Sequence, residues 1–246
     1  MPRNCSTATP DDGGGGTHNG NLTITANSLI NMTRGSDGVI IGGGASSLIS
    51  GSGNLTQGID SGTTTKTTFI GNTGSSVNNT NTGTLTINAG RVMLQKADNV
   101  VAWGGNVVIN SGGVLVYNDF RENQIADTAT VTINQGGVWN LSHGGSMNHE
   151  KITGLVINTN AAAFSNDTSA GGARIVLGTG DSSTGAAGIF VNANGTLSGT
   201  AGIVNKATTI QGGQLVAGTN GTVGSLGFSQ GLAFASGLAV GSLKFD

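Results

Sequence analysis

One short bent motif recurs along the chain at nearly constant spacing. It reads TINAGRVML at residues 86–94, VINSGGVLV at 108–116 and TINQGGVWN at 132–140. Each copy consists of two β-branched runs joined by an Asn that precedes a Gly. Equivalent positions lie 22 to 24 residues apart and include Ile87, Ile109, Ile133 and Ile157, then Asn88, Asn110, Asn134 and Asn158, with Val92, Val114 and Val138 five residues after the first three isoleucines. A fixed period in the twenties is typical of stacked structural repeats.

The repeat predicts coils whose strands stack in parallel, although Asn-x-Gly turns between alternating runs are also compatible with antiparallel hairpins. Parallel stacking places each Ile on the next Ile. It also places each Asn on the next Asn, where the side-chain amides can hydrogen-bond as a ladder. Gly suits the corner, because a sharp bend requires a positive φ or a close approach of two backbones.

Strand patterns also dominate outside the clearest repeats. Gly interrupts the chain too often for helices, since each interior Gly costs a helix roughly 1 kcal/mol. Alternating β-branched runs bounded by turn residues predict strands, as in NLTITA (21–26), ARIVLG (173–178), GIFVNANGTL (188–197) and ATTIQGGQLVAG (207–218). The consensus patterns of leucine-rich and calcium-binding nonapeptide repeats are missing. We therefore predict an all-β fold, a right-handed parallel β-helix (β-solenoid) of roughly 22–24 residues per coil, with strands about 4.8 Å apart.

The composition narrows the class of protein. Gly accounts for 45 of 246 residues and charged residues for 9%, against roughly 7% and a quarter in average proteins. Apolar residues at 36% and a net charge of −2 argue against a disordered chain. Collagen is excluded because Gly has no period of three and Pro is scarce. Ten Lys and Arg among twelve acids form no basic patch, so we expect no nucleic-acid partner.

The sequence also bears on location. A single cysteine, Cys5, excludes an internal disulfide framework. No apolar run is long enough for a transmembrane helix, so we expect no membrane insertion by this segment. The N-terminus MPRNCSTATPDDGGGG lacks the apolar core of a signal peptide. We expect that the segment is cut from a longer exported protein whose signal lies upstream.

The repeats resemble a known family. GTLTINAG, NVVINSGGVLVY and ATVTINQGGVWNLS are similar to the autotransporter-associated β-strand repeats of the passenger regions of large Gly-rich bacterial surface proteins. The C-terminal stretch 203–246 resembles the segment such repeats often carry, with GGQL followed by GSLGF, GLAF and GSLKFD. The resemblance covers roughly residues 83–246, and the composition alone continues into 1–82.

The resemblance implies a role and a place. The segment would belong to a passenger domain that is exported across the outer membrane and then secreted or displayed at the cell surface. There it would serve as stalk, scaffold or adhesin, with host or matrix glycans or proteins as partners. A translocator or sorting domain would lie outside this chain. The family motif contains no catalytic residues, so no enzymatic activity and no cofactor is implied. We divide the chain into a flexible Gly-rich segment at 1–20 and a β-solenoid at 21–246, clearest at 83–160.

One edge of the predicted coils collects charge. Counted from their Asn turns, five residues would stack one above another: Lys96, Asp98, Asp119, Arg121 and His143. They predict a ligand-binding edge, against the plainer interpretation that charge collects in solvated loops. His149, Glu150 and Lys151 are predicted to lie in one inter-strand loop. A β-helix that binds or degrades polysaccharides, as a lyase or hydrolase, is the alternative function, because glycosidases need paired carboxylates.

Other patterns carry less information. His143 and His149 match no metal-ligand spacing, so we predict no metal site. The stretch DDGGGGTHNG at 11–20 lacks the Lys and Ser or Thr of a phosphate-binding loop and is interpreted as a linker. The larger aromatic residues either form a sugar-stacking patch or fill the core, and we favour the core; they are Trp103, Tyr117, Phe120 and Trp139.

Overall fold

A computed structural model describes residues 16–32, 38–59, 67–118, 121–141, 149–158, 174–179, 188–204, 206–219, 222–235 and 242–245. All regular secondary structure in these ranges is β-strand. The prediction of an all-β chain is therefore confirmed for this part of the molecule. Asp119, Phe120 and His143 lie outside the described residues.

The strands follow one another at short intervals. In chain order they are β1 (Thr17–His18), β2 (Leu22–Thr23), β3 (Ser28–Met32), β4 (Val39–Ile41), β5 (Ile49–Ser50), β6 (Leu55–Ile59), β7 (Thr67–Ile70), β8 (Leu85–Ile87), β9 (Gly90–Leu94), β10 (Val107–Ile109), β11 (Gly113–Tyr117), β12 (Thr130–Ile133), β13 (Val138–Asn140), β14 (His149–Ile152), β15 (Gly154–Ile157), β16 (Arg174–Leu177), β17 (Gly188–Asn192), β18 (Thr196–Gly199), β19 (Ala201–Val204), β20 (Thr208–Gln211), β21 (Gln214–Thr219), β22 (Thr222–Val223), β23 (Ser225–Phe228), β24 (Leu232–Phe234) and β25 (Ser242–Phe245).

Strands that are distant in sequence pair in parallel. The largest sheet has ten strands, ordered β22–β21–β18–β15–β12–β10–β8–β6–β3, with β25 also pairing β21. A six-stranded sheet runs β1–β4–β7–β9–β11–β13 and a five-stranded sheet runs β14–β16–β17–β20–β24. Pairs β2–β5 and β19–β23 complete the arrangement. Successive segments of chain thus contribute to different sheets, which is compatible with a β-solenoid.

The register between β8, β10, β12 and β15 follows the sequence repeat. Ile109 pairs with Ile87 on one side and with Ile133 on the other, all in parallel, and Ile133 pairs with Ile157. The Asn-x-Gly turns therefore link strands of different sheets and do not form hairpins. Among the described strands, β21 and β22 form an antiparallel pair, and isolated antiparallel bridges join Gly178 to Asn194 and Asn192 to Gly212.

The alternation of each strand sets its inner side. Val107 and Ile109 are fully buried while Val108 between them is partly exposed, and β8 and β12 follow the same pattern. Because successive side chains point to opposite faces of a strand, the stacked isoleucines line a continuous apolar interior. Trp103, Tyr117 and Trp139 are also completely buried, so the prediction that these aromatic residues fill the core is confirmed.

The corner two residues after Asn88, Asn110 and Asn134 requires Gly. Gly90, Gly112 and Gly136 have φ values of 72°, 81° and 75°, a region that residues with a Cβ rarely adopt. The next glycine meets a different limit, because a Cβ at Gly113 would lie 2.3 Å from the carbonyl oxygen of Ile87. Both parts of the prediction for these glycines are confirmed.

One predicted alignment is wrong. Val92 and Val114 share an offset from their isoleucines in sequence, but Val92 pairs with Leu115, and Val114 pairs with Arg91. The cause is the length of the turn. The turn at 88–90 has one Gly and the turn at 110–113 has two, so β9 enters its sheet one residue earlier after its Asn than β11 does. Val92 consequently points inward and is fully buried, while Val114 is on the outer side with partial exposure.

The sheet also begins earlier than predicted. Thr17 and His18 of β1 pair with Ile40 and Ile41 of β4, so strand pairing starts before the expected boundary at residue 21. Residues 1–15 lie outside the described part of the chain. Pairing continues as far as β25, beyond the clearest repeats at 83–160.

Candidate functional site

The predicted ligand-binding edge is only partly assembled by the structure. Asp98 is exposed, and its Oδ1 lies 3.3 Å from the backbone nitrogen of Glu122 on the neighbouring turn. Arg121 is half-buried one residue earlier. Lys96, by contrast, has no exposed surface, so it is not on the edge where the sequence pattern placed it. With Asp119 and His143 undescribed, a ligand-binding role for this edge stays a prediction.

The segment with His149, Glu150 and Lys151 is not a loop. These residues belong to β14, which pairs in parallel with β16. His149 and Glu150 are buried, and Lys151 forms an ion pair with Asp127 at 2.8 Å. The polar residue types suggested solvent exposure, but for Glu150 hydrogen bonds to its carboxyl inside the protein compensate for the burial.

Lys96 and Glu150 belong to a group of interior polar residues, which we call the buried polar row. Its five members are at most 4% exposed and are contributed by neighbouring coils: Asn79, Lys96, Tyr117, Gln124 and Glu150. Three of them accept a hydrogen bond from a backbone nitrogen of another coil. Buried polar atoms cost free energy unless they are paired, and the row pairs them by linking one coil to the next.

Glu150 occupies one end of the row. Its Oε2 accepts a hydrogen bond from the backbone nitrogen of Gln124 at 2.9 Å, and the Tyr117 hydroxyl donates to the same oxygen. Burial raises the pKa of the Glu150 carboxyl to about 8, although the bonds from Tyr117 and Gln124 act in the opposite direction. Burial, with Glu150 nearby, also raises the pKa of Tyr117 well above its usual value.

Gln124 connects Glu150 to Lys96. Its Oε1 accepts a hydrogen bond from the backbone nitrogen of Lys96 at 2.8 Å. Its Nε2 donates to the carbonyl oxygens of Ala97 and Glu122, each at 3.0 Å. One amide thus fastens the turn after β9 to the turn after β11.

Lys96 reaches across the interior in the other direction. Its ammonium donates to the carbonyl oxygen of Ser47 at 3.2 Å, to Oδ1 of Asn79 at 2.7 Å and to the carbonyl oxygen of Val77. Among the described residues none of these acceptors is a carboxylate. Burial alone lowers the pKa of Lys96 to about 8.

A second polar array lies on the outside of the ten-stranded sheet. Asn110 donates to Oδ1 of Asn88 at 2.7 Å, Asn134 to Asn110 at 2.6 Å and Asn158 to Asn134 at 2.9 Å. The hydroxyl of Thr200 bonds Oδ1 of Asn158 at 3.3 Å. The predicted Asn ladder is thereby confirmed, and all its amides point in the same direction along the stack.

The ladder borders a surface without charge, which we call the outer face. Its middle row pairs in register and consists of Thr56, Thr86, Val108, Thr132 and Val156. A third row holds Asn54, Thr84, Asn106 and Thr130. Since ordinary protein surfaces carry about a quarter or more of charged residues, this composition distinguishes the outer face. It offers hydroxyl, amide and methyl groups at one strand spacing.

Two negative findings concern the described part of the chain. It contains no group of three or more His, Cys, Asp and Glu residues that could hold a metal ion. Within the same ranges no helix is long and apolar enough to cross a membrane.

Comparison with known proteins identifies no relative. No protein-family model, no curated protein and no solved structure matches this chain. The resemblance to autotransporter-associated repeats therefore stays a prediction based on the residues that carry it.

Proposed function

We propose that this chain is a non-enzymatic structural segment of a bacterial surface or secreted protein, of the autotransporter passenger type, acting as stalk, scaffold or adhesin. Its architecture would be a right-handed parallel β-helix of about 22–24 residues per coil. The observation that supports the proposal most is the unbroken parallel register from Ile87 through Ile109 and Ile133 to Ile157. Such stacking gives a stiff element that lengthens by repetition.

The interior is consistent with a mechanical role. The polar side chains of the buried polar row bond backbone atoms on neighbouring coils, and on the outside the Asn side chains of neighbouring coils bond one another. Parallel strands already hydrogen-bond along the stack, so these contacts add cross-links in the direction in which a stalk is loaded. An adhesive role would use the outer face, because its uncharged hydroxyl and amide groups suit glycans or proteins.

Cell localisation tests this proposal. Antibodies against the chain should label intact producing cells, or detect the protein in the medium, without permeabilisation. Mild protease treatment of whole cells should remove the surface signal while a cytoplasmic marker survives. Detection only after lysis would contradict a surface or secreted role. Deleting the coding region should then reduce attachment or shorten surface projections.

A polysaccharide-binding or polysaccharide-degrading β-helix is the second candidate. Asp98 and Glu122 lie on adjacent turns, and a pair of carboxylates is what a glycoside hydrolase requires. Glu150, the only other Glu in the chain, is engaged in the interior. Release of reducing ends from polysaccharides that disappears in Asp98→Asn and Glu122→Gln would favour this candidate over the structural one.

A further inference from the structure

A fully buried lysine without an acidic neighbour is unusual. Lys96 has no exposed surface, and in the described structure its ammonium has carbonyl and amide oxygens as partners. An isolated charge in an apolar interior is costly, and long cationic side chains are almost never fully buried unless they are paired with an acid. The position of Lys96 therefore calls for a chemical explanation beyond hydrogen bonding.

The Asn79 side chain is held in contact with that amine. Its Oδ1 accepts hydrogen bonds from Lys96 Nζ at 2.7 Å and from the backbone nitrogen of Ile49 at 2.8 Å. Its Nδ2 donates to the carbonyl oxygen of Ala102 at 2.6 Å. These bonds fix the amide at both its oxygen and its nitrogen. The side chains of Lys96 and Asn79 are 0% and 4% exposed, so solvent is kept away from them.

We propose that Lys96 and Asn79 join in an intramolecular isopeptide bond. The neutral Nζ attacks Cγ of Asn79, and a bond between Nζ and Cγ forms. The bond between Cγ and Nδ2 then breaks, and one Nζ proton passes to Nδ2, which leaves as ammonia. The products are a secondary amide and one molecule of ammonia, so the reaction requires no oxidant, reductant or other reactant.

The surroundings favour each stage of this reaction. The backbone N–H of Ile49 already bonds Oδ1, where negative charge develops as the amine attacks. Burial lowers the pKa of Lys96 to about 8, which provides neutral amine near physiological pH. Fixed proximity can correspond to an effective concentration of about 10⁵ M or more. The product also removes the buried ammonium charge.

The bond would close a covalent loop that contains β8 and β9. Asn79 precedes β8 and Lys96 follows β9, seventeen residues later. The covalent loop would therefore hold both strands in place if neighbouring coils separate. This inference does not depend on the cellular role proposed above. The competing interpretation is a structural ammonium satisfied by three acceptors.

Mass spectrometry of the full chain tests the inference. The purified protein, held at about pH 8 to allow completion, should be lighter than its sequence by one ammonia. Protease digestion should yield a branched peptide linking the segments around residues 79 and 96. Succinimide formation at Asn19-Gly20, Asn194-Gly195 or Asn220-Gly221 also loses ammonia, but hydroxylamine cleaves a succinimide and leaves an isopeptide intact.

Three variants make the test specific. Lys96→Met and Asn79→Ala should each abolish the loss of ammonia. Asn81→Ala is the matched control, because Asn81 is equally buried and bonds the backbone nitrogen of Gly104, and it should keep the loss. An unchanged mass in the wild-type chain would overturn the inference. So would an ammonia loss that persists in Lys96→Met. If the variants fail to fold, the branched peptide of the wild-type protein decides the question alone.

Discussion

Asn134 donates its side-chain amide to Asn110 at 2.6 Å and accepts the amide of Asn158 on its other side. Asn134 is thus an interior rung of a ladder, bonded to the coil before and to the coil after. Asn88 is bonded by Asn110 alone among the rungs of the ladder. Replacing an interior rung removes two inter-coil bonds, whereas replacing Asn88 removes one.

Asn134→Ala should therefore destabilise the chain more than Asn88→Ala does. A net hydrogen bond contributes about 0.5–1.5 kcal/mol to the free energy of unfolding, so we expect a loss of roughly 1–3 kcal/mol for Asn134→Ala and about half of that for Asn88→Ala. Urea denaturation followed by circular dichroism measures both. An equal loss of unfolding free energy in the two variants would mean that the hydrogen bonds of the ladder do not contribute separately to stability.

The inward and outward sides of one strand provide a matched pair. Ile109 is completely buried in β10, and Val108 beside it is partly exposed on the outer face. Ile109→Ala should reduce the unfolding free energy by about 2–5 kcal/mol because it leaves a cavity. Val108→Ala should reduce it by less than about 1 kcal/mol, as most surface changes do. A reversed order would contradict the described inner and outer sides.

The corner glycines should tolerate no side chain. A Cβ at Gly113 would lie 2.3 Å from Ile87 O, whereas at Gly74 the nearest atom would be 3.6 Å away. Gly113→Ala should therefore lower the melting temperature by several degrees, and Gly74→Ala should leave it nearly unchanged or raise it slightly. Thermal unfolding of the two variants compares the same Gly→Ala substitution at a position where two backbones lie close together and at a position with free space. A tolerated Gly113→Ala would mean that the two coils are further apart than described.

Glu150 should make stability depend on pH. In the folded state the pKa of Glu150 is about 8, above the ordinary value of 4.5. Between about pH 4.5 and pH 8 the folded state therefore keeps a proton on Glu150 that the unfolded state has released. The contribution of Glu150 is therefore fully present below about pH 4.5 and is lost as pH rises through about 8. Glu150→Gln cannot titrate at this position. As pH rises across this window, the unfolding free energy of the wild type should therefore fall relative to that of the variant.

Denaturant titrations at pH 5 and pH 8.5 measure this difference. Asp127 adds slightly to the shift of Glu150, so Asp127→Asn is the control and should alter the pH dependence much less. A difference between wild type and Glu150→Gln that stays constant with pH would show that Glu150 is ionised in the folded state.

Much of the fold could be predicted from the repeat. The Ile and Asn positions have the same period, and parallel stacking follows because identical side chains then meet. The changed pairing of Val92 could not be predicted from a constant offset, because the turn at 88–90 is one residue shorter than the turn at 110–113. Gly90 therefore pairs with Gly113, which becomes clear only when the lengths of the two turns are compared.

The interior polar residues were harder to predict. Lys and Glu are usually surface residues, and a single sequence does not reveal that neighbouring coils supply hydrogen-bond partners for Lys96 and Glu150. Glu150 contacts Tyr117, thirty-three residues away, and Lys96 contacts Ser47, forty-nine residues away. One signal was present in the sequence: HEKI at 149–152 precedes GLVI at 154–157 without a turn cluster, which favours a strand over a loop.

Spin-label distances along the outer face test the parallel stack most directly. Thr56 and Val156 are separated by four register steps, from Thr56 through Thr86, Val108 and Thr132. With Cys5 replaced by Ser, cysteine pairs labelled at 56 and 156 should give a backbone separation of about 19 Å, and pairs at 86 and 156 about 14 Å, because each strand adds about 4.8 Å. Distances that grow by one constant step per coil are the predicted result. Distances that do not increase with the number of intervening strands would contradict the stacked-coil account.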